Sequence, residues 1–335
     1  MTDKVCVTTY IWGDKYQIYV PIAIYSIKKF YPNYDVILFL HGKLASELRR
    51  ILKVLNLEDK VIIRENAYAD CPRMDAFKSM ALRWVLWNDL FENYDYLYVI
   101  DIDTLYLPEP FPLHEQHKCH MKNVTHLPFD NMRRINTLEH MSLKTRLIAV
   151  FQYIRSNKFY CIRYIPSLLM RIRRDIYRLS GVHFIDCKEY FSRFTKHKLD
   201  CYRQMIYDGS YIKLVSFPHD NETFLYYMLK NENYDVDILA SQILDGKKEH
   251  LNFNNYNKPL FRPMHGVHLG EYRTEPKIIG FNNPNWHESM MYYNTYVRDV
   301  LMKDKDFIYF LEIQPEMTKS LFRRYFKAIE VTTSI

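Results

Sequence analysis

Two carboxylates stand two residues apart at the end of an apolar run: Tyr96-Leu97-Tyr98-Val99-Ile100 leads directly into Asp101-Ile102-Asp103. On an extended chain alternate side chains share a face, so both carboxylates are expected to aim at one point beyond the strand. In a parallel α/β sheet that point lies outside the carboxyl ends of the strands, where such sheets bind ligands. Two hard oxygen ligands suit Mn2+ or Mg2+ and leave coordination positions for a diphosphate, Ile102 lying between them. A cation held there neutralises charge on a departing nucleoside diphosphate. A bare D-x-D also arises by chance, one Asp capping a helix and the other in solvent. The apolar residues on both sides of this one favour cation binding.

The elements that must position the pair can be read around it. Val5–Tyr10 is a buried first strand, Tyr19–Tyr31 a helix that stops before Pro32, and Asp35–Leu40 a second strand. Leu44–Leu55 is an amphipathic helix and Lys60–Arg64 a third strand. Asp75–Phe91 reads as one helix, with Ala81, Leu82, Val85, Leu86 and Leu90 along a face, and it leads into the fourth strand at Tyr96–Ile100. This alternation predicts an α/β fold, a mostly parallel sheet flanked by helices. From His114 to Leu179 Arg and Lys become dense while apolar residues keep helical spacing, which predicts a basic helical insertion. Strands are expected again at Ser180–Ile185 and Tyr211–Val215, a helix at Asp220–Leu229, a loop at 246–263 and a helical region from Trp286 onward.

Several residues fall where these elements converge. Thr8, Thr9 and Tyr10 end the first strand, where backbone groups and the Tyr10 ring can hold a base by hydrogen bonding and stacking; Tyr16 is a weaker candidate. Lys78 and Arg83 sit on the helix leading to the acidic pair, and Arg is favoured for bidentate contact with phosphate or sugar hydroxyls. The bland alternatives are strand-end packing and a solvated basic helix face.

Composition narrows the classes. Only 8 Gly, with no Walker or Rossmann fingerprint, argue against a glycine-rich phosphate loop. The net charge of +7 is compatible with nucleic acid, anionic lipid or a polyanionic substrate. No RNA-binding or helix-turn-helix signature accompanies it, so nucleic acid is not an expected partner. The 6 Cys show no zinc-ligand spacing and suit a reducing compartment. With no signal peptide or membrane-spanning run in view, a cytoplasmic location is expected. Peripheral membrane contact would run through the basic aromatic segment Leu321-Phe322-Arg323-Arg324-Tyr325-Phe326-Lys327.

The segment YLYVIDIDTLYL (Tyr96–Leu107) resembles the D-x-D strand of retaining GT-A glycosyltransferases, the family of glycogenin and of bacterial lipopolysaccharide galactosyltransferases. Cys6–Pro32 is similar to that family's first strand, nucleotide loop and first helix. Ser79–Phe91 is similar to the helix carrying a donor-contacting Arg, which falls on Arg83. SGVHFIDCKEYF resembles the N-S-G-V strand, with Leu179 where Asn is usual; HDNETFL resembles the D-Q-D segment; HGVHLGEYR resembles the late H-x-x-G-x-x-K motif. The resemblance implies a Mn2+ site completed by His268, with His265 as the alternative, and a diphosphate clamp at Gly270 and Arg273, where Arg replaces Lys. It places Asp220 and Glu222 beside the acceptor and the transferred sugar, where a carboxylate stabilises oxocarbenium character or accepts a proton. Helix capping by Asp220 is the plainer role.

The organisation it implies is a nucleotide-sugar-binding half (1–113), the basic insertion (114–179), an acceptor- and metal-binding half (180–285) and a helical carboxyl-terminal region (286–335). The expected activity is transfer from a nucleotide-sugar, UDP-linked before GDP-linked, to a glycan or lipid-linked glycan. A sugar-phosphate nucleotidyltransferase is the competing class, and TTYIWGDKY lacks its glycine- and Arg/Lys-rich loop.

Overall fold

The computed structural model describes residues 3–109, 113–131, 179, 181–213, 221–236, 265–272 and 284–332. Most of the basic insertion, Ser180, the end of the expected strand at Tyr211–Val215, Asp220, the 246–263 stretch and Arg273 lie outside the described residues.

The amino-terminal half is built from strands β1 (Val5–Ile11), β2 (Asp35–Leu40), β3 (Ile62–Arg64) and β4 (Tyr96–Val99), in that order along the chain. β1 pairs in parallel with β2, Cys6 opposite Asp35 through Ile11 opposite Leu40, and with β4, Val5 opposite Tyr96 through Thr8 opposite Val99. Later come β5 (Thr104–Tyr106), β6 (Phe129–Asp130), β7 (His183–Asp186) and β8 (Gly266–His268). The central sheet has the order β3-β2-β1-β4-β7-β6, with β7 antiparallel to both β4 and β6. β5 and β8 form a separate antiparallel ribbon.

Period-two patterning sorts the strand residues into two cores. Val5, Val7, Val36, Leu38, Tyr98 and Phe184 face one layer, where helix α2 (Val20–Phe30) and the carboxyl-terminal helices pack. Cys6, Ile37, Phe39, Leu97, Val99 and Ile185 face the other. There the cover is α4 (Ala76–Leu82), α6 (Cys187–Arg193), α7 (Lys196–Asp208) and α8 (Asn221–Asn231). Burial on both faces is what apolar parallel strands require.

Three expectations need correcting. The helix expected over Asp75–Phe91 is broken: α4 starts at its cap Asp75, whose carboxylate accepts the Lys78 N–H at 2.8 Å, and ends at Leu82. Arg83–Val85 winds on as a 3-10 turn, Leu86 is extended, and Asn88 caps a second 3-10 turn at Asp89–Asn93. The apolar spacing was helical, but the Asn88 side chain bonded to Leu90 N–H competes with helix continuation. Ser210–Lys213 is a 3-10 turn following the left-handed Gly209, rather than the start of a strand. Within 114–179, helix α5 (Leu113–His120) is followed by a π-turn and then by β6, which belongs to the central sheet.

The carboxyl-terminal helices are α9 (Pro284–Asp299), α10 (Lys305–Glu312) and α11 (Glu316–Thr332). In α11 Leu321, Phe322 and Tyr325 are buried in the core and Arg323 and Lys327 are exposed. The apolar side chains needed to enter a bilayer are therefore directed inward. Among the described residues no helix is long and apolar enough to cross a membrane.

The outer edge of the sheet carries a buried polar group. Asp130 of β6 bonds His117 Nδ1 at 2.7 Å and His120 Nδ1 at 2.6 Å. Burial pushes the Asp130 carboxyl up, but the charge and hydrogen bond of His120 and of His117 more than reverse this and hold it well below its ordinary value. Removing one partner of such a buried pair leaves the others uncompensated. Asp130→Ala should lower the unfolding free energy by about 3–5 kcal/mol in urea denaturation; a loss under about 1 kcal/mol would show that this edge does not depend on the triad.

Candidate active site

β1 is the switch point of the sheet: the chain builds outward through β2 and β3, then returns to the other side of β1 with β4. Crevices at such a point, beyond the carboxyl ends of the strands, are where ligands bind. β1 ends at Ile11 and β4 at Val99, and the acidic pair follows Ile100 directly.

The pair does not lie on an extended strand. β4 ends at Val99, and Asp101–Asp103 form the turn into β5. Backbone bonds pin this turn: the Tyr106 hydroxyl donates to the Asp101 carbonyl at 3.2 Å, and Leu269 N–H donates to the Asp103 carbonyl at 2.8 Å. Ile102 is buried in the core between them. The side chains take different partners. Asp101 is ion-paired with Arg83, whereas Asp103 Oδ1 lies 3.1 Å from His268 Nε2.

Each partner arrives by a specific device. Arg83 is placed by the 3-10 turn after α4, buried, with its guanidinium 4.2 Å from the Trp84 ring centre. Its other amino group donates to Asn221 Oδ1 at 3.1 Å, and Trp84 Nε1 donates to the Asn221 carbonyl at 3.0 Å. His268 is delivered by the β5–β8 ribbon, in which Thr104 lies opposite His268 and Tyr106 opposite Gly266. His265, the alternative ligand, points elsewhere: its ring lies 5.1 Å from Tyr98 and 5.2 Å from His117, inside the core.

Two glycines make room for the carboxylates. A Cβ on Gly181 would overlap an Asp101 carboxylate oxygen, and a Cβ on Gly270 would overlap one of Asp103 and approach His268 Cε1 to 3.3 Å. Backbone thus walls both carboxylates at the distance where a side chain would begin.

The remaining candidates divide. The side chains of Thr8 and Thr9 are buried, so a ligand at this strand end meets neighbouring groups first. Tyr10 is buried as well, its hydroxyl 2.9 Å from His41 Nδ1 and donating to the Ala67 carbonyl at 3.2 Å. Tyr16 is half-buried on the short helix α1 (Asp14–Gln17). The Lys78 ammonium bonds the carbonyls of Pro72 and Tyr207, at 2.7 and 2.9 Å, so Arg83 is the cation of this helix that reaches the acidic turn. Glu222 is partly exposed in the first turn of α8, and its carbonyl accepts from Leu179 N–H at 3.2 Å. Asn221, Trp84 and Gly181 belong to the site and were not singled out from sequence. Asn221 was discoverable as the middle residue of Asp220-Asn221-Glu222, and Gly181 as the glycine of SGVHF.

The donor set suits a divalent cation, two carboxylates and an imidazole. The ligand atoms of Asp101, Asp103 and His268 do not all fall within 4.8 Å of one another. Arg83 is the group that holds Asp101. Among the described residues one other acidic and histidine group, Asp3, His114 and Glu115, meets that spacing. Its cation is already present: Lys118 Nζ lies 2.5 Å from Asp3 and 2.9 Å from Glu115.

No family model matches the chain, and no curated protein matches it. Among solved structures it is similar to the galactosyltransferase LgtC in complex with donor and acceptor sugar analogues: 13% identity, TM-score 0.37, spanning 67% of this chain and 70% of that one. It is similar also to the mannosyltransferase Ktr4p of S. cerevisiae, at 10% identity and TM-score 0.39, over 67% and 64% of the two chains. A third is core-mannan synthase A of Aspergillus fumigatus in a Mn/GDP form, at 9% identity and TM-score 0.36, over 68% and 70%. The fold is α/β, a mostly parallel central sheet flanked by helices.

Gly270→Ala should place a methyl group against Asp103 and lower the unfolding free energy by about 1–3 kcal/mol. Urea denaturation checks this, and an unchanged midpoint would show that Asp103 does not need the space Gly270 leaves.

Proposed function

We propose that the chain is a divalent-metal-dependent glycosyltransferase. It transfers a sugar from a nucleotide-sugar, a UDP-sugar before a GDP-sugar, to a glycan or lipid-linked glycan with retention of configuration. The observation that carries this reading is the Asp103–His268 contact at 3.1 Å, made at the switch point of the sheet by residues distant in sequence. A buried carboxylate beside a partly exposed imidazole, walled by glycine, suits a cation that must also accept ligands from outside.

In this reading Asp101, Asp103 and His268 hold Mn2+ or Mg2+. Bound there, the ion supplies Lewis-acid stabilisation of the nucleoside diphosphate leaving group. The chain's own residues do the rest. The strand end at Thr8–Tyr10 receives the base, and Tyr16 is a weaker candidate for it. Arg83 is a planar cation stacked on Trp84, with fixed donor geometry suited to phosphate or sugar oxygens. It exchanges Asp101 for the donor as the donor enters, which frees the carboxylate to turn toward Asp103. Gly270 lets backbone approach the diphosphate, and Arg273, which follows in the same motif, clamps it. Asp220 and Glu222 are the carboxylates assigned to the anomeric carbon and the acceptor hydroxyl. There a carboxylate offsets developing positive charge or takes the acceptor proton. Asn221, fixed by Arg83 and Trp84, orients that segment.

Asp103→Ala should reduce Mn2+-dependent hydrolysis of the preferred nucleotide-sugar by on the order of 100-fold or more. Product analysis separates the classes, because a nucleotidyltransferase releases pyrophosphate from a nucleoside triphosphate and this enzyme does not. Full activity in Asp103→Ala, or pyrophosphate as the product, rejects the proposal. Arg83→Lys keeps the charge and loses the fork; it should raise the KM for the nucleotide-sugar about tenfold or more while leaving the fold intact.

A further inference from the structure

Glu109 lies just beyond β5 with its side chain fully buried. Oε1 accepts the backbone N–H of His265 at 2.9 Å and the Tyr293 hydroxyl at 2.5 Å. Oε2 has no hydrogen-bond partner among the described residues. The carboxyl therefore joins three separate pieces of chain: the exit of β5, the entry to β8, and helix α9. Neighbouring bonds follow the same seam. Leu107 N–H donates to the His265 carbonyl at 3.2 Å, the Tyr292 hydroxyl to the Pro108 carbonyl at 3.2 Å, and the Tyr31 hydroxyl to the Leu107 carbonyl at 2.7 Å.

His265 has a left-handed backbone, with φ at 66°, which a residue with a Cβ adopts only under constraint. The Glu109 bond to its N–H is one such constraint, and it acts three residues before His268. Burial pushes the Glu109 carboxyl up to about 8, the bonds from Tyr293 and His265 N–H pulling only partly the other way. The titratable groups facing it come from every packed element: Tyr31 and Tyr34 around β2, Tyr98 of β4, Tyr292 and Tyr293 of α9, and His265. Burial raises Tyr31, Tyr34, Tyr98 and Tyr292 in turn, each with Glu109 adding to the effect. A carboxyl is an expensive residue to bury among tyrosines, and packing alone would be served by an apolar one.

We propose that Glu109 is a positioning residue for the cation site: clamped by Tyr293, it ties the start of β8 to helix α9 and so fixes where His268 stands against Asp103. This rests on the reading of His268 as a cation ligand. Glu109 touches neither cation nor donor; it acts through the His265 N–H and the short strand that follows.

The test uses the full chain with Glu109→Ala, Glu109→Gln and Tyr293→Phe, and two readouts. Hydrogen–deuterium exchange on peptides covering 104–107 and 265–268 reports the ribbon without any ligand. Electron paramagnetic resonance reports Mn2+ affinity. Glu109→Ala should speed exchange of these amides tenfold or more and weaken Mn2+ about 10–100-fold. Glu109→Gln keeps an acceptor for both donors and should restore both readouts. Tyr293→Phe, which leaves the carboxyl in place, should give intermediate values and serves if Glu109→Ala does not fold. A pH series adds a signature that simple packing would not produce. The folded value lies above the ordinary 4.5, so the stability Glu109 contributes is complete below that value and is lost as pH rises through about 8. The melting temperature of the wild type should therefore fall relative to Glu109→Gln across that window. Unchanged exchange in Glu109→Ala, or equal loss in the Gln and Ala variants, overturns the proposal. Faster exchange in Glu109→Ala with Mn2+ binding unaltered removes its role at the cation site. A wild type that binds no Mn2+ at all fails the reading of His268 instead, and the exchange data then still decide whether Glu109 holds the strand.

Discussion

The pairing of Thr104 with His268 is the contact on which the site depends. Without it the acidic turn is a strand end like many others, with one carboxylate bound to an arginine and the other facing outward. The ribbon is short and joins distant parts of the chain, so closing it carries a loop-entropy cost that three residue pairs do not repay alone. It persists because it is covered. Leu105, Tyr106, Val267 and Leu269 are buried in the same core as α2, α9 and the last two helices. The carboxyl-terminal region thus contributes to the site without entering it, by closing the layer over the ribbon that carries His268.

Charge is distributed with the same economy. Asp101 and Arg83 form an ion pair with little exposure, and a buried pair of this kind is a weak source of net stability because both groups lose their hydration. What it does supply is a fixed orientation. The guanidinium rests on Trp84, bonds Asn221 and cannot swing into solvent, so the donor geometry exists before any ligand arrives. Asp101 and Asp103 take different partners for the same reason: Arg83 holds the first and His268 lies against the second.

Much of this was legible in the sequence, for reasons that differ by residue. β1, β2 and β4 were readable because parallel strands buried on both faces must be continuously apolar. The acidic pair was readable because it interrupts such a run at its carboxyl end. Arg83 was legible as a position but not as a conformation. Helical apolar spacing continued through Leu90, and only the capping side chain of Asn88, a local competitor for the backbone, marks where the helix is replaced by tighter turns. The segment HGVHLGEYR offers both His268 and His265, and strand pairing puts His268 beside Asp103 and His265 in the core. Asn221 and Gly181 were legible only as members of their segments, and Glu109 not at all. Their contacts run across the fold, and neither composition nor periodicity carries that information.

The run Leu321–Lys327 shows why residue type alone underdetermines function. Aromatic and basic residues alternate in it at helical spacing, a pattern that serves a bilayer surface and a protein core equally well, since both want one apolar face and one charged face. Which use prevails depends on whether the protein has another apolar surface to offer. Here it does: Tyr25 stacks on Phe310 with ring centres 4.2 Å apart, and Phe307 meets Phe322 at 5.8 Å, so α2, α10 and α11 close on one another. Turning Phe322 and Tyr325 toward lipid would uncover that surface, and the area gained at the membrane would be offset by the area lost in the core.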